Sequence, residues 1–274
     1  MKKFAIQFLL GLSLLLLSSC EKVVDINLDN AEPKLVIDAL IRWQKGTPGN
    51  QQLIKLSLTN DFYTSDVLPA NGATVTLTNS SNEVFIFTEL QQTGNYICVD
   101  FNPVVNETYT LNITYAGQSY KATNRLLATP SITNVEQETV PGFSGDDEIQ
   151  IKYYFQDDGN EDNYYLLGII NPNYEVPEFR VIEDEFFQGN EIFGFYGSSE
   201  TEPGITLKLS VQNITLGFFN YMDKLISITE SSGNPFAAPP VTLRGNIINE
   251  TDTENYPLGY FHLSEIDAID YIVQ

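Results

Sequence analysis

One histidine and two cysteines are all that 274 residues hold of those two types, and that scarcity removes several chemistries. A Ser-His-Asp or Cys-His hydrolase would have to use His262, and no Gly-x-Ser-x-Gly elbow is present to supply a nucleophile. Zinc catalysis ordinarily draws an imidazole or a thiolate into its ligand set, and both donors are in short supply here. No Gly-rich phosphate loop and no Gly-x-Gly-x-x-Gly occur. His262 lies between Phe261 and Leu263, so strand alternation turns it away from both and toward water. No catalytic residue and no metal ligand set are expected.

Positive charge is the second deficit. Lys and Arg number 14 against 36 Asp and Glu, a formal net charge of −22. Such a field repels nucleic acid, and no basic patch relieves it, so no nucleic-acid partner is expected. The acidity is read first as a solubility device; attraction of cationic peptides or metal ions is the sharper alternative.

Long apolar runs are also missing, with one exception. Met1-Lys2-Lys3 opens the chain, and Phe4 to Leu17 is apolar except for Gln7 and Ser13. That is the basic and hydrophobic pattern of an export signal. It falls short of the roughly 20 residues that span a bilayer. The run ends in Leu17-Ser18-Ser19-Cys20, an aliphatic residue, two small ones and a cysteine, which resembles the lipobox of lipoprotein signal peptidase. Residues 1–19 are therefore read as a signal peptide, and Cys20 as the site of lipid attachment. Residues 20–33 are read as the acylated cysteine with a polar tether. About two acyl chains suffice for stable anchoring, so the membrane would be reached through Cys20 alone. With Cys20 committed, Cys98 has no intramolecular partner and is expected to pack as a small apolar side chain. Apart from the covalent lipid, no cofactor is expected.

What remains reads as mainly β. Short runs alternate apolar and polar residues from Lys34 onward: Ile54/Leu56/Leu58, Val75/Leu77, Tyr109/Leu111/Ile113/Tyr115. Strands at this density over residues 34–129 fit an immunoglobulin-like β-sandwich. Gly94-Asn95-Tyr96-Ile97-Cys98 has the spacing of a tyrosine corner, without a second cysteine to pair across the sheets. Thr129-Pro130 marks a boundary, and residues 130–274 read as a second β-rich domain carrying one helix near residues 216–230. Phe218, Met222, Leu225 and Thr229 form its apolar stripe, Thr215 can cap it, and Gly233 can end it. Leu258-Gly259-Tyr260-Phe261 reads as a hairpin, and Ile266 to Val273 as the closing strand. No internal repeat of fixed period is present.

Two clusters invite function. Asp157-Asp158-Gly159-Asn160-Glu161-Asp162-Asn163 is the densest group of oxygen donors. Its spacing departs from an EF-hand loop, and Asp, Asn and Gly make turns through local hydrogen bonds, so a turn is favoured over calcium. Phe179, Phe186, Phe187, Phe193 and Tyr196 stand among Glu, Asp and Gly residues. Exposed aromatics in such company suit sugar or peptide binding, and they are the candidate ligand or partner residues. Core packing explains the same pattern.

Several segments stand in an informative order: Cys20-Glu21-Lys22-Val23-Val24-Asp25, Leu35-Val36-Ile37-Asp38-Ala39, Glu107-Thr108-Tyr109-Thr110-Leu111, Asp157 to Tyr165, the Phe219 to Ile228 helix, Gly233-Asn234-Pro235-Phe236, and Gly259-Tyr260-Phe261. Together they resemble the Bacteroidota lipoproteins catalogued as domain of unknown function 4249. The resemblance implies a two-part β fold at the outer membrane, facing the periplasm or the cell surface. It also implies genomic company with TonB-dependent receptors. It brings no catalytic residues, and this chain departs from it where Asn249 to Pro257 forms a long polar link. The leading expectation is a lipid-anchored binding or accessory protein that partners such a receptor in ligand capture. A structural or adhesive surface lipoprotein is the alternative, and a carboxylate-pair glycosidase the second alternative, although no pair among the 36 acids stands out.

Overall fold

In the computed structural model, the described residues are 32–60, 64, 66–142, 147–231 and 243–274. The signal peptide, Cys20, most of the tether and Gly233 to Phe236 lie outside them. Alternating side chains build the first eight strands: β1 (Leu35–Gln44), β2 (Gln52–Leu58), β3 (Leu68–Pro69), β4 (Thr74–Asn79), β5 (Val84–Glu89), β6 (Asn95–Cys98), β7 (Thr108–Tyr115) and β8 (Gln118–Arg125). In β4, Val75 and Leu77 are buried while Thr74 faces out; β2 buries Ile54 and Leu56 in the same way. The inward residues meet in one core with Ile37, Ile41, Phe85, Phe87 and Leu111. Each such side chain contributes roughly 1.5–3 kcal/mol on burial. Strand β5 pairs with β4 through Val84–Phe87 and with β6 through Thr88 and Glu89, so it carries the sheet around the edge of the sandwich.

Two tyrosines tie this sandwich together. Tyr96 donates its hydroxyl to the Ala70 carbonyl (2.8 Å) and accepts from the Ala73 amide (2.9 Å). The tyrosine-corner geometry itself belongs to Tyr109, near the start of β7. Its hydroxyl donates to the Asn102 carbonyl (3.1 Å) and accepts from the Val104 amide (3.0 Å), a few residues upstream.

The remaining strands are β9 (Ile132–Pro141), β10 (Asp147–Gln156), β11 (Tyr164–Ile170), β12 (Glu178–Glu183), β13 (Glu191–Ser198), β14 (Thr206–Ile214), β15 (Ile248–Asn249) and β16 (Leu258–Ile272), with one helix, α1 (Leu216–Ser231). A three-stranded sheet β13-β10-β9 packs over β12-β11-β14-β16. Their shared core holds Ile151, Tyr153, Phe155, Tyr165, Leu167, Leu207, Leu209 and Val211.

The last strand belongs to both halves. Leu258–Ile266 runs parallel to β1, and Asp267–Ile272 runs antiparallel to β14. The boundary at Thr129-Pro130 falls between β8 and β9, yet Ile247, Phe261 and Leu263 fill the first core. Thr129 itself is buried and donates to the Glu265 carbonyl while accepting from the Asn213 amide, 2.7 and 2.9 Å. Pro33–Gln274 accordingly forms one compact unit. The hairpin expected at Leu258-Gly259 is absent. Gly259 has φ +95° inside a continuous strand, and a Cβ there would lie 2.0 Å from the Ile37 carbonyl oxygen. Glycine is needed there for close backbone approach, not for a turn.

The helix forms where the apolar period predicts it, and Thr215 Oγ1 accepts from the Phe218 amide (3.3 Å) at its start. Its buried face is narrower than expected: Phe218 and Met222 are covered, whereas Leu225 and Thr229 are exposed. That face lies on Leu166, Ile214 and Tyr260, on the outer side of the sheet. His262 is corrected by the same contact. It is fully buried, stacked on Phe218 with ring centres 4.5 Å apart. Alternation holds, with Phe261 and His262 on opposite faces, but α1 covers the face that would otherwise be wet.

Candidate functional site

Helix α1 covers only one end of that outer face. Beyond it, β12, β11, β14, β16 and β1 leave a cleft of about 300 Å³. Its floor is Leu166, Gly168, Ile266 and Ala268, with Phe179 and Ile170 to one side. Gly168 stands opposite Phe179 in the β11–β12 register. A Cβ at Gly168 would come within 2.6 Å of Ser210 Oγ and 3.2 Å of the Phe179 ring, so the glycine makes room for the aromatic wall.

The polar lining comprises Arg42, Gln44, Lys208, Ser210 and Gln212, with no acid among the lining residues. Arg42 is level with Ser264 on β16, and Lys208 with Asp270. The two cations therefore stand at opposite ends of the cleft, about 20 Å apart along the strand by backbone rise. Among the described residues neither has an ion-pair partner; the recorded pairs are Lys121–Glu250 and Lys152–Glu138. Gln212 is only 3 % exposed, and its side-chain amide has no hydrogen-bond partner among the described residues. Ser210 Oγ, by contrast, donates to the Gly168 carbonyl (3.1 Å).

At the helix end of the same face lie His262 and Ser264. Both imidazole nitrogens and the Ser264 hydroxyl are buried without a hydrogen-bond partner. Burial pushes the His262 pKa down to about 3, the Asn213 backbone opposing the shift and the Arg42 charge adding to it, so the ring is neutral at ordinary pH. Sealed from solvent, this imidazole cannot reach a substrate proton as a general base must.

The five aromatics singled out from the sequence do not form one site. Phe179 walls the cleft. Phe186 and Phe187, 79 % and 47 % exposed, stand on the turn between β12 and β13. Phe193 is exposed on β13, tilted against Tyr154 at 5.7 Å. Tyr196 is a correction: it is buried in the second core, accepting from Asn171 Nδ2 (2.9 Å) and bonded to Thr201 Oγ1. On β13 the inward positions are Ile192, Gly194 and Tyr196, leaving Phe193 on the outer face.

The acidic turn is built into the protein. Asp157 is buried and accepts from Tyr165 Oη (2.5 Å) and the Gly189 amide (2.7 Å). Asp184, also buried, accepts from the Asn163 amide (2.8 Å). These two carboxylates dock the Asp157–Asn163 turn onto the turn that carries Phe186 and Phe187. Burial and the Asp157 bond together raise the Tyr165 pKa. Among the described residues no group of three or more His, Cys, Asp and Glu is arranged to hold a metal ion. Cys98 is buried, its thiol donating to Asp100 Oδ1 (3.1 Å), and its pKa is pushed up to about 11, chiefly by burial.

Sequence reasoning passed over Arg42, Lys208, Ser210 and Gln212, which fall on the polar positions of β1 and β14 and carry no signal of their own. The usable signal was Gly168 within Tyr164-Tyr165-Leu166-Leu167-Gly168-Ile169-Ile170. A strand apolar on both faces must be covered on both, and its glycine marks a place where something else lies close.

Residues 21–269 match the model of the family described as Domain of unknown function (DUF4249). No curated protein matches the chain. Among solved structures, a two-domain fibronectin type-III segment from chicken tenascin is 10 % identical, over 66 % of this chain and 90 % of that one, with a TM-score of 0.22. A chain from a cytokine receptor complex is 9 % identical, over 66 % of this chain and 83 % of that one, with a TM-score of 0.25.

Proposed function

Since the chain belongs to the DUF4249 family, we propose that it is a lipid-anchored outer-membrane protein that captures a ligand in the cleft beside α1 and works with a TonB-dependent receptor. The observation that supports this reading most is the cleft itself. A 300 Å³ concavity with an apolar floor, two cations, three neutral polar side chains and no acid in its lining has the make-up of a small-molecule site. The sealed position of His262 favours binding over hydrolysis.

The anchor at Cys20 would hold the domain close to the bilayer, raising its effective concentration near a membrane partner toward roughly millimolar. A weak interface would then suffice. Phe186 and Phe187, exposed together on one turn, supply apolar surface for it. Tagged full-length chain, extracted gently in mild detergent, should bring down a TonB-dependent receptor identifiable by mass spectrometry. Recovery of the chain alone would count against the accessory role. Retention of Cys20→Ala on membranes after a high-salt wash would count against the anchor.

A further inference from the structure

We propose that the cleft binds an organic carboxylate, its anionic head held by Arg42 with the amides of Gln44 and Gln212, its apolar body lying over Leu166, Gly168, Ile266 and Ala268 toward Phe179. This rests on the reading of the cleft as a binding site and adds the class of ligand.

Charge identifies the head group. In a chain where acids outnumber bases 36 to 14, a cleft lined by two cations and no carboxylate runs against the composition. Arg42 and Lys208 are nevertheless unequal. Lys208 stands in register with Asp270 on the adjacent strand, without an ion pair between them among the described residues. Arg42 stands in register with Ser264, an uncharged residue. Asp38 is the acid on its own strand face, beyond Leu40. The Asp38 charge acts on Arg42, so the Arg42 end is favoured by its planar fork of N–H donors and not by unbalanced charge.

Hydrogen-bonding capacity points to the same end. Gln44 is level with Ile266 on β16, one outward-facing position beyond Ser264. Gln212 lines the same cleft and lies level with Leu166. Its side chain is almost fully covered and places a neutral amide donor on the cleft wall. A guanidinium presents two parallel N–H donors that match a carboxylate, and charge-assisted bonds of this kind are about twice as strong as neutral ones. Away from Arg42 the floor is apolar through Leu166, Gly168, Ile266 and Ala268 to the Phe179 wall, with Lys208 beyond it, level with Ile170. A ligand polar at one end and apolar along its body fits that gradient.

Calorimetric titration of the full-length chain in nanodiscs tests this with 4-phenylbutyrate, 4-phenylbutan-1-ol and 4-phenylbutylamine as probes. Ala268→Trp, which fills the floor, serves as the blocked control. The acid is expected to bind saturably, and the alcohol at least about tenfold more weakly. Arg42→Gln should lower affinity for the acid about tenfold or more while leaving the alcohol unchanged, and Lys208→Gln should change the acid less than threefold. Acid and alcohol binding equally, both lost in Ala268→Trp, would overturn the carboxylate assignment and leave the cleft as a binding site. Preference for the amine would also overturn it. No probe binding above the Ala268→Trp background would overturn the binding reading itself, and the carboxylate assignment with it.

Discussion

Acidification should unfold this protein in part through one imidazole. His262 is fully buried against Phe218, with neither nitrogen hydrogen-bonded. Its native pKa lies near 3, against an ordinary value of 6.5. As pH falls below 6.5 the unfolded chain takes up a proton that the native chain refuses until about pH 3. The unfolded state thus binds more protons throughout that window, and stability falls with pH. At about pH 5 the loss from this residue alone is about 2 kcal/mol, and below the native pKa it approaches about 5 kcal/mol. Carboxylates titrate in the same range, so the measurement must be a difference. Urea unfolding of the chain and of His262→Phe, from about pH 8 to about pH 4, isolates the imidazole. The variant removes the desolvated imidazole nitrogens, a gain of about 1–3 kcal/mol, against overpacking of similar size. The two proteins should therefore lie close together at pH 8. Their curves should separate by about 2 kcal/mol at about pH 5, the variant being the more stable. Parallel curves, or an NMR titration placing His262 between about pH 6 and 7, would refute the burial argument.

Three other outcomes follow from the packing. Gly259→Ala should cost more than about 2 kcal/mol in chemical denaturation, because φ +95° and a contact with the Ile37 backbone strain the β1–β16 join together; a loss under about 0.5 kcal/mol would contradict that. Cys98 should resist a thiol reagent at about pH 8 in the native state and react on unfolding, since its thiol pKa is pushed up to about 11. Asp157→Asn should destabilise by about 1–3 kcal/mol by weakening the bonds to Tyr165 and Gly189, and thermal melts in millimolar calcium and in chelator should coincide. A rise of several degrees in calcium, lost in the variant, would restore the metal reading.

Strands whose inward residues are plainly apolar were legible, as in β4 and β7, and so was α1 with its Thr215 cap. Parity alone could not say how many faces of a strand are covered. That is why His262 read as wet, and why nothing drew attention to Lys208, Ser210 and Gln212. Aromatics at 193, 195 and 196 satisfied either phase of β13, so its inward residue Tyr196 could not be told from its outward neighbour Phe193. Gly259 read as a turn because glycine serves turns and close backbone contacts alike. Neither the return of the last strand to pair with β1 nor the cleft it helps to floor has a local signal, since both depend on pairing across more than two hundred residues.

The reading of the cleft as the working site is tested most directly by native mass spectrometry of the full-length chain, gently extracted from its own membrane, beside Ala268→Trp prepared identically. The expected result is a bound small-molecule mass on the chain that is missing from a variant of equal stability. The same adducts on both proteins would place the ligand elsewhere and contradict the account.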